Sequence, residues 1–197
     1  AQACPLVMMD DSYKSDILMT TDNTDAVESL GNVDHDNIEM SGKADEARMF
    51  WTERYLSVSL PLKALKVTSP YGYRTDPFTG KKRFHGGLDL HARNEKVLAM
   101  MSGIVVKVGQ DNASGKYVVL RHGNYLVSYC HLSRILVGKG KQVSPAEPVG
   151  ITGSTGRSTG EHLHVTCKLN GKSIDPRILF RHIKNIKDEC VRALRDL

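Results

Sequence analysis

The segment that most limits what this chain can fold into is Gly153-Ser-Thr-Gly-Arg-Ser-Thr-Gly160, followed by Glu161-His162-Leu163-His164-Val165-Thr166-Cys167. Three glycines in eight residues argue against a regular element there, because glycine favours turns and left-handed backbone. The residues that follow alternate apolar and polar, the two-residue period of a β-strand. Side chains at i and i+2 of a strand stand on one face. His162 and His164 therefore share a face, while Leu163, Val165 and Cys167 face a core. Two imidazoles side by side on a strand suit metal binding, proton handling or both. The plain alternative is a half-exposed strand whose outward positions are histidine.

The same texture extends backwards to Leu60. Short β-type runs at 65–68, 88–90, 103–108, 117–121, 125–131 and 163–169 are separated by Gly and Asn, which predicts a mainly β, antiparallel core. Beyond Asp175-Pro176, residues Leu179, Ile183, Ile186, Cys190 and Leu194 recur at steps of three and four, the mark of an amphipathic helix. Residues 1–59 differ in kind: they are acidic and polar, with helical turns expected at 24–30 and 43–56 and disorder expected in the first 40. The division is thus an N-terminal arm or small helical subdomain (1–59), a β domain (60–178) and a C-terminal helix (179–197).

Charge follows that division. Residues 1–60 carry 12 Asp/Glu against 4 Lys/Arg, net −8, whereas residues 61–197 carry 10 against 23, net +13. A basic domain joined to an acidic arm implies a polyanionic partner, self-masking, or both. Nucleic acid and anionic cell-wall polymer are the two candidates. Lys and Arg are scattered among the strands with no interleaved aromatic stretch, so no nucleic-acid partner is expected. An arm of this sign either lies across the basic groove, with Asp34-His35-Asp36-Asn37 near an open metal position, or serves only solubility and docking.

Four cysteines, Cys4, Cys130, Cys167 and Cys190, lack C-x-x-C spacing and so do not form a zinc knuckle. Cys130 and Cys167 alternate away from the histidines and are expected as free thiols on the core side. No run of about 18 apolar residues spans a membrane. The start Ala-Gln-Ala-Cys, without Met, leads to the expectation of a processed form whose leader is gone.

The chemistry lies in the β part. Phe84-His85-Gly86-Gly87-Leu88-Asp89 carries an imidazole and a carboxylate, both zinc ligands. With one histidine of the 162/164 pair they complete a three-ligand set with a position left for water, as catalytic zinc requires. The competing reading makes Asp89 a turn cap and His85 a loop residue. His131, in the alternating run Leu126-Val-Ser-Tyr129-Cys130-His131-Leu132, either belongs with the metal site or caps its strand. His122 reads as a turn or strand-end residue, and His91 and His182 as surface residues.

Taken in order, His85-x-Gly-x-Asp89, Tyr129-x-His131-Leu132 and Gly153-x-Thr-Gly-x-Ser-Thr-Gly160-x-His162-Leu-His164 resemble the lysostaphin/LytM-type zinc endopeptidases, which cleave peptide bonds in bacterial peptidoglycan. The resemblance covers roughly residues 60–178 and includes the lead-in Thr68-Ser-Pro-Tyr-Gly-Tyr-Arg74. It implies a LytM-like fold with Zn2+ held by His85, Asp89 and His164. By position it also implies His131 and His162 as the non-ligand catalytic pair, with Arg74 and Tyr129 lining the substrate groove. Glu161 departs from the family, whose members often have a small residue or proline there, and this puts substrate preference in doubt. The implied partner is bacterial peptidoglycan, and the implied location is periplasmic, cell-envelope or secreted. A non-catalytic wall-binding or regulatory module on the same fold is the alternative, set against ligand positions that are all filled.

Overall fold

The structure, a computed structural model, describes residues 35–197, and side chains from residue 42 onward. The expected helical turns at 24–30 and Asp34 lie outside the described residues, as does the expected disorder up to residue 34; residues 35–40, also expected to be disordered, instead begin the first helix. In chain order, α1 (His35–Leu56) precedes β1 (Val67–Ser69), β2 (Gly72–Thr75), β3 (Lys82–His85), β4 (Leu88–His91), β5 (Lys96–Leu98), β6 (Gly103–Asp111) and β7 (Gly115–His122). There follow β8 (Tyr125–Leu132), β9 (Arg134–Ile135), β10 (Gln142–Val143), β11 (Pro148–Ile151), β12 (His162–Leu169), β13 (Lys172–Ile174) and α2 (Pro176–Arg195). The main sheet runs β1-β4-β12-β8-β7-β6-β10, with β13 beside β12, and every pair in it is antiparallel. The expected mainly β, antiparallel fold with a helix at each end is therefore what forms. Each expected run overlaps a strand, whereas the β2–β3 hairpin, β5, β9, β10, β11 and β13 were not expected; at two to four residues, they are too short to show periodicity.

The sheet has two faces of different use. Leu163, Val165, Cys167, Val118, Leu120, Val127 and Tyr129 point to the core, where α2 covers them with Leu179, Phe180, Ile183, Ile186 and Cys190. The helix begins at Pro176, three residues earlier than expected, because Asp175 caps it: its Oδ1 accepts from the Arg177 N–H at 2.9 Å. A carboxylate at the N-cap with proline at the next position is a strong start signal. α1 does not stand apart from this core. Trp51 and Tyr55 pack against it, and Lys187 of α2 lies 3.7 Å from the Tyr55 ring centroid while donating to the Tyr55 carbonyl at 3.1 Å. His122 does end β7, but it is buried, with burial depressing its pKa; His91 and His182 are exposed.

The opposite face of the sheet forms the floor of a cleft. One wall is the β2–β3 hairpin. The other is the glycine-rich loop, whose ends meet where the His162 N–H donates to the Gly153 carbonyl at 3.2 Å. No helix of the described residues is long and apolar enough to cross a membrane.

Candidate metal and catalytic centre

Antiparallel pairing of β12 with β4 sets His164 opposite Asp89, and pairing with β8 sets it opposite Cys130. His85 arrives from the end of β3 through the Gly86-Gly87 turn. Glycine at 87 is demanded by space: a Cβ there would lie 2.5 Å from His164 Cε1 and 2.6 Å from the Val165 carbonyl oxygen. The turn thus lets His85 and Asp89 close on His164. Among the described residues, His85, Asp89 and His164 form the one group whose ligand atoms all lie within 4.8 Å of one another.

These donors fit a metal. His85 Nδ1 is 2.8 Å from the Pro70 carbonyl, which only accepts, so Nδ1 carries the proton and Nε2 offers a lone pair. His85 Nε2 lies 3.1 Å from His164 Nδ1 and 3.3 Å from Asp89 Oδ1. Four-coordinate zinc with bonds of about 2.0–2.1 Å separates its ligands by roughly 3.3 Å, close to both values. The third separation, His164 Nδ1 to Asp89 Oδ1, is 2.6 Å, a hydrogen bond that a bound cation would replace. Burial would raise the Asp89 pKa, but hydrogen bonds from His164 and His85 outweigh it and hold the carboxyl well below the usual range. The set is two imidazoles and a carboxylate, which suits zinc better than hard oxygen-seeking cations.

Two further histidines border this set without joining it. The His131 and His162 rings are 4.8 Å apart, and His131 is 5.6 Å from His164. His131 Nδ1 is 2.8 Å from the Thr155 carbonyl and His162 Nδ1 is 2.7 Å from the Gly160 carbonyl. Both acceptors belong to the glycine-rich loop, and both place the proton on Nδ1 and leave Nε2 for the cleft. Burial lowers the pKa of His131, which favours the neutral ring.

His131 reaches this face through a bulge. Between Lys116↔Leu132 and Val118↔Tyr129 the strand β8 advances three residues while β7 advances two. The extra residue is accommodated by His131 at φ 62°, with its N–H on the Ser114 carbonyl at 2.8 Å. Two expectations are corrected by this. Tyr129, which the resemblance placed in the substrate groove and unbroken alternation would put on the same face as His131, is 0% exposed in the apolar core. Cys130, expected on the core side, lines the cleft and packs with Tyr117 and Val119. Its thiol, like that of Cys167, is pushed up by burial to about 12, and neither has a disulfide partner among the described residues.

Arg74 lines the cleft, with Nη2 3.7 Å from Asp89 Oδ2. Glu161 turns away from the cleft, accepting hydrogen bonds from the Asn94 N–H and from Thr152 Oγ1. The cleft, about 510 Å³, holds all five residues of the centre. The loop carbonyls and Asp76, a buried residue of the hairpin, were not singled out from the sequence. The turn Thr75-Asp-Pro-Phe-Thr-Gly carries an aspartate-turn signal, but nothing in it announces a partner 81 residues away.

A sequence profile of peptidase family M23 matches residues 83–176. The catalytic domain of lysostaphin from Staphylococcus simulans superposes with a TM-score of 0.54 at 30% identity, over 59% of this chain and 92% of that domain. The chain belongs to peptidase family M23. A zinc-containing peptidase from Vibrio cholerae is also similar to this M23 chain, at 30% identity and TM-score 0.53, over 59% of this chain and 37% of that one. The peptidoglycan DD-endopeptidase ShyC of Vibrio cholerae is 38% identical over 120 residues, 59% of this chain and 28% of the relative. The chain spans about a quarter of the length of the curated relatives it matches.

Proposed function

We propose that this M23 chain is a zinc-dependent endopeptidase that hydrolyses peptide bonds in the stem or cross-bridge peptides of bacterial peptidoglycan. The observation that carries it is the convergence, in one cleft, of a His85-Asp89-His164 donor set with two histidines whose Nδ1 atoms are held on loop carbonyls and whose Nε2 atoms face the cleft, that of His162 3.6 Å from Asp89 Oδ1. When bound, zinc supplies Lewis acidity, polarising the scissile carbonyl and acidifying water at the site. His131 and His162 then act jointly: one Nε2 accepts the proton of the attacking water, faces the developing oxyanion as an imidazolium and passes the proton to the leaving amine, while the other Nε2 accepts a hydrogen bond from that water and orients it. With Nδ1–H held on the Thr155 and Gly160 carbonyls, neither ring has to reorient between these steps. Arg74, beside Asp89 on the cleft wall, both steadies that carboxylate and offers a cation to the substrate. Tyr129 has no part in the groove.

Relatives such as ShyC, a peptidoglycan DD-endopeptidase by name, support the substrate class and a periplasmic, cell-envelope or secreted location. The basic surface favours approach to anionic wall polymer. A non-catalytic wall-binding module on the same fold would not need a filled donor set backed by two oriented histidines. The test is to load the protein with zinc, incubate it with purified muropeptides of defined cross-link, and identify products by mass. Cleavage of a peptide cross-link, abolished by chelation and restored by zinc, is expected; intact muropeptides with stoichiometric zinc would favour the binding module.

A further inference from the structure

Asp76, at the turn of the β2–β3 hairpin, is 6% exposed yet remains ionised. Burial pushes its carboxyl up, but the amides of Phe78 and Thr79 and the Arg157 guanidinium outweigh burial and hold it at about 2. The two amides donate to Oδ1 at 2.9 and 3.0 Å, and Arg83 Nη1 donates to Oδ2 at 3.3 Å. These bonds are internal to the hairpin. Arg157 is not: it comes from the glycine-rich loop across the cleft. Its Nη2 donates to both carboxylate oxygens, at 2.9 and 3.1 Å, and its guanidinium carbon lies 4.4 Å from the Phe78 ring centroid. At its other end the Arg157 N–H donates to the Ala113 carbonyl at 3.2 Å, in the turn between β6 and β7. One residue thus spans from the sheet to the hairpin.

Its place in the loop is what gives this span a consequence. The Thr155 carbonyl, which holds His131, is two residues before Arg157, and the Gly160 carbonyl, which holds His162, is three residues after it. A segment with three glycines in eight residues has little rigidity of its own. It is pinned on the sheet side by the close approach of Gly115 and Gly156, where a Cβ on Gly156 would lie 2.2 Å from the Gly115 nitrogen. On the hairpin side, the Asp76–Arg157 pair pins it. Exposed ion pairs contribute little, but here the carboxylate is buried, the contact is doubled and the guanidinium rests on an aromatic face.

We propose that Asp76 and Arg157 are positioning residues for His131 and His162, holding the 153–160 loop so that its carbonyls keep both rings in the Nδ1–H form with Nε2 facing the cleft. The proposal rests on the reading of those histidines as the proton-handling pair. Neither Asp76 nor Arg157 touches the donor set; both act through the loop.

The test uses the zinc-loaded full chain and its Asp76→Asn, Arg157→Gln, Arg157→Lys and Asp76→Asn/Arg157→Gln variants. Nitrogen-15 NMR of the imidazoles reports which ring nitrogen carries the proton. In the wild type, His131 and His162 are expected as single Nδ1–H tautomers. Asp76→Asn and Arg157→Gln should each keep stoichiometric zinc but show mixed tautomers, with kcat on a cross-linked muropeptide falling roughly tenfold to a hundredfold and KM little changed. The double variant should be no worse than either single, and Arg157→Lys should recover part of the loss. If Asp76→Asn unfolds, Arg157→Gln carries the same test, since it leaves the hairpin's own bonds to Asp76 in place. Unaltered tautomers in Arg157→Gln, or a kcat within about twofold of wild type, would overturn the proposal. A wild type without hydrolysis would sink the catalytic reading, and the tautomer readout would then decide the positioning by itself.

Discussion

At the scale of single residues, the proposed centre divides into groups assigned to hold the metal and groups assigned to move protons, and substitution should split them. His85→Ala removes a donor whose other nitrogen is anchored on the Pro70 carbonyl, so the protein is expected to lose stoichiometric zinc on dialysis. His131→Ala and His162→Ala are expected to keep the metal and lose about 10²–10⁴-fold in hydrolysis, the usual worth of general acid–base groups. Metal analysis alongside the rates checks both, and an emptied site in either variant would make that histidine a ligand. Gly87→Ala is the quieter test. Its Cβ would meet the His164 ring at 2.5 Å and backbone at 2.6 Å, so His164 must shift. Zinc affinity should fall by about tenfold or more, as for other losses of ligand support, measured by competition with a coloured chelator.

At the scale of elements, the bulge in β8 is what separates Tyr129 from His131. A strand that kept its alternation would put both on one face; one additional residue puts His131 in the cleft and Tyr129 in the core. Left-handed backbone at a non-glycine residue costs of order 1 kcal/mol or more, here offset by the His131 N–H bond to Ser114 and the Nδ1 bond to Thr155. Tyr129→Ala is therefore expected to behave as a core truncation, costing on the order of 3–5 kcal/mol of stability by denaturant melts. Tyr129→Phe should leave the rate within about twofold, because no substrate contact is lost. A selective rise in KM for Tyr129→Phe would return that residue to the groove. On the far side of the sheet, Asp175→Ala should cost about 1 kcal/mol through loss of the α2 cap.

At the scale of the whole molecule, charges that tie separate elements together make stability depend on acid. Asp76 joins the hairpin to the glycine-rich loop, and its folded pKa of about 2 lies below the ordinary 3.8. A depressed carboxylate stabilises the fold above the unfolded value and loses that contribution as pH falls through the folded one. The melting temperature is expected to drop between about pH 4 and pH 2, and the drop should be shallower in Asp76→Asn, whose side chain does not titrate. Equal slopes for the two proteins would count against an ionised Asp76. The helices contribute at the same scale: because Trp51 and Tyr55 pack on the core, a truncation that removes α1 should lower stability while making the net charge more positive.

Alternation and spacing were enough to determine the strand character of 162–169, the shared face of His162 and His164 and the amphipathic C-terminal helix, while the five residues proposed for the centre came from the family resemblance of three ordered motifs. Those are local properties: a period of two or of 3.6 is written into consecutive side chains, and glycine marks where the chain must turn. Only the tertiary structure decided which strands pair, and with it that Asp89 sits opposite His164. It also decided that β8 bulges, that Tyr129 is core and Cys130 is not, and that Arg157 reaches Asp76. A bulge depends on what the neighbouring strand offers, here the Ser114 carbonyl, and an ion pair across 81 positions depends on the loop and the hairpin meeting over one cleft. Neither leaves a periodic trace, since each joins residues that are neighbours only after the chain has folded.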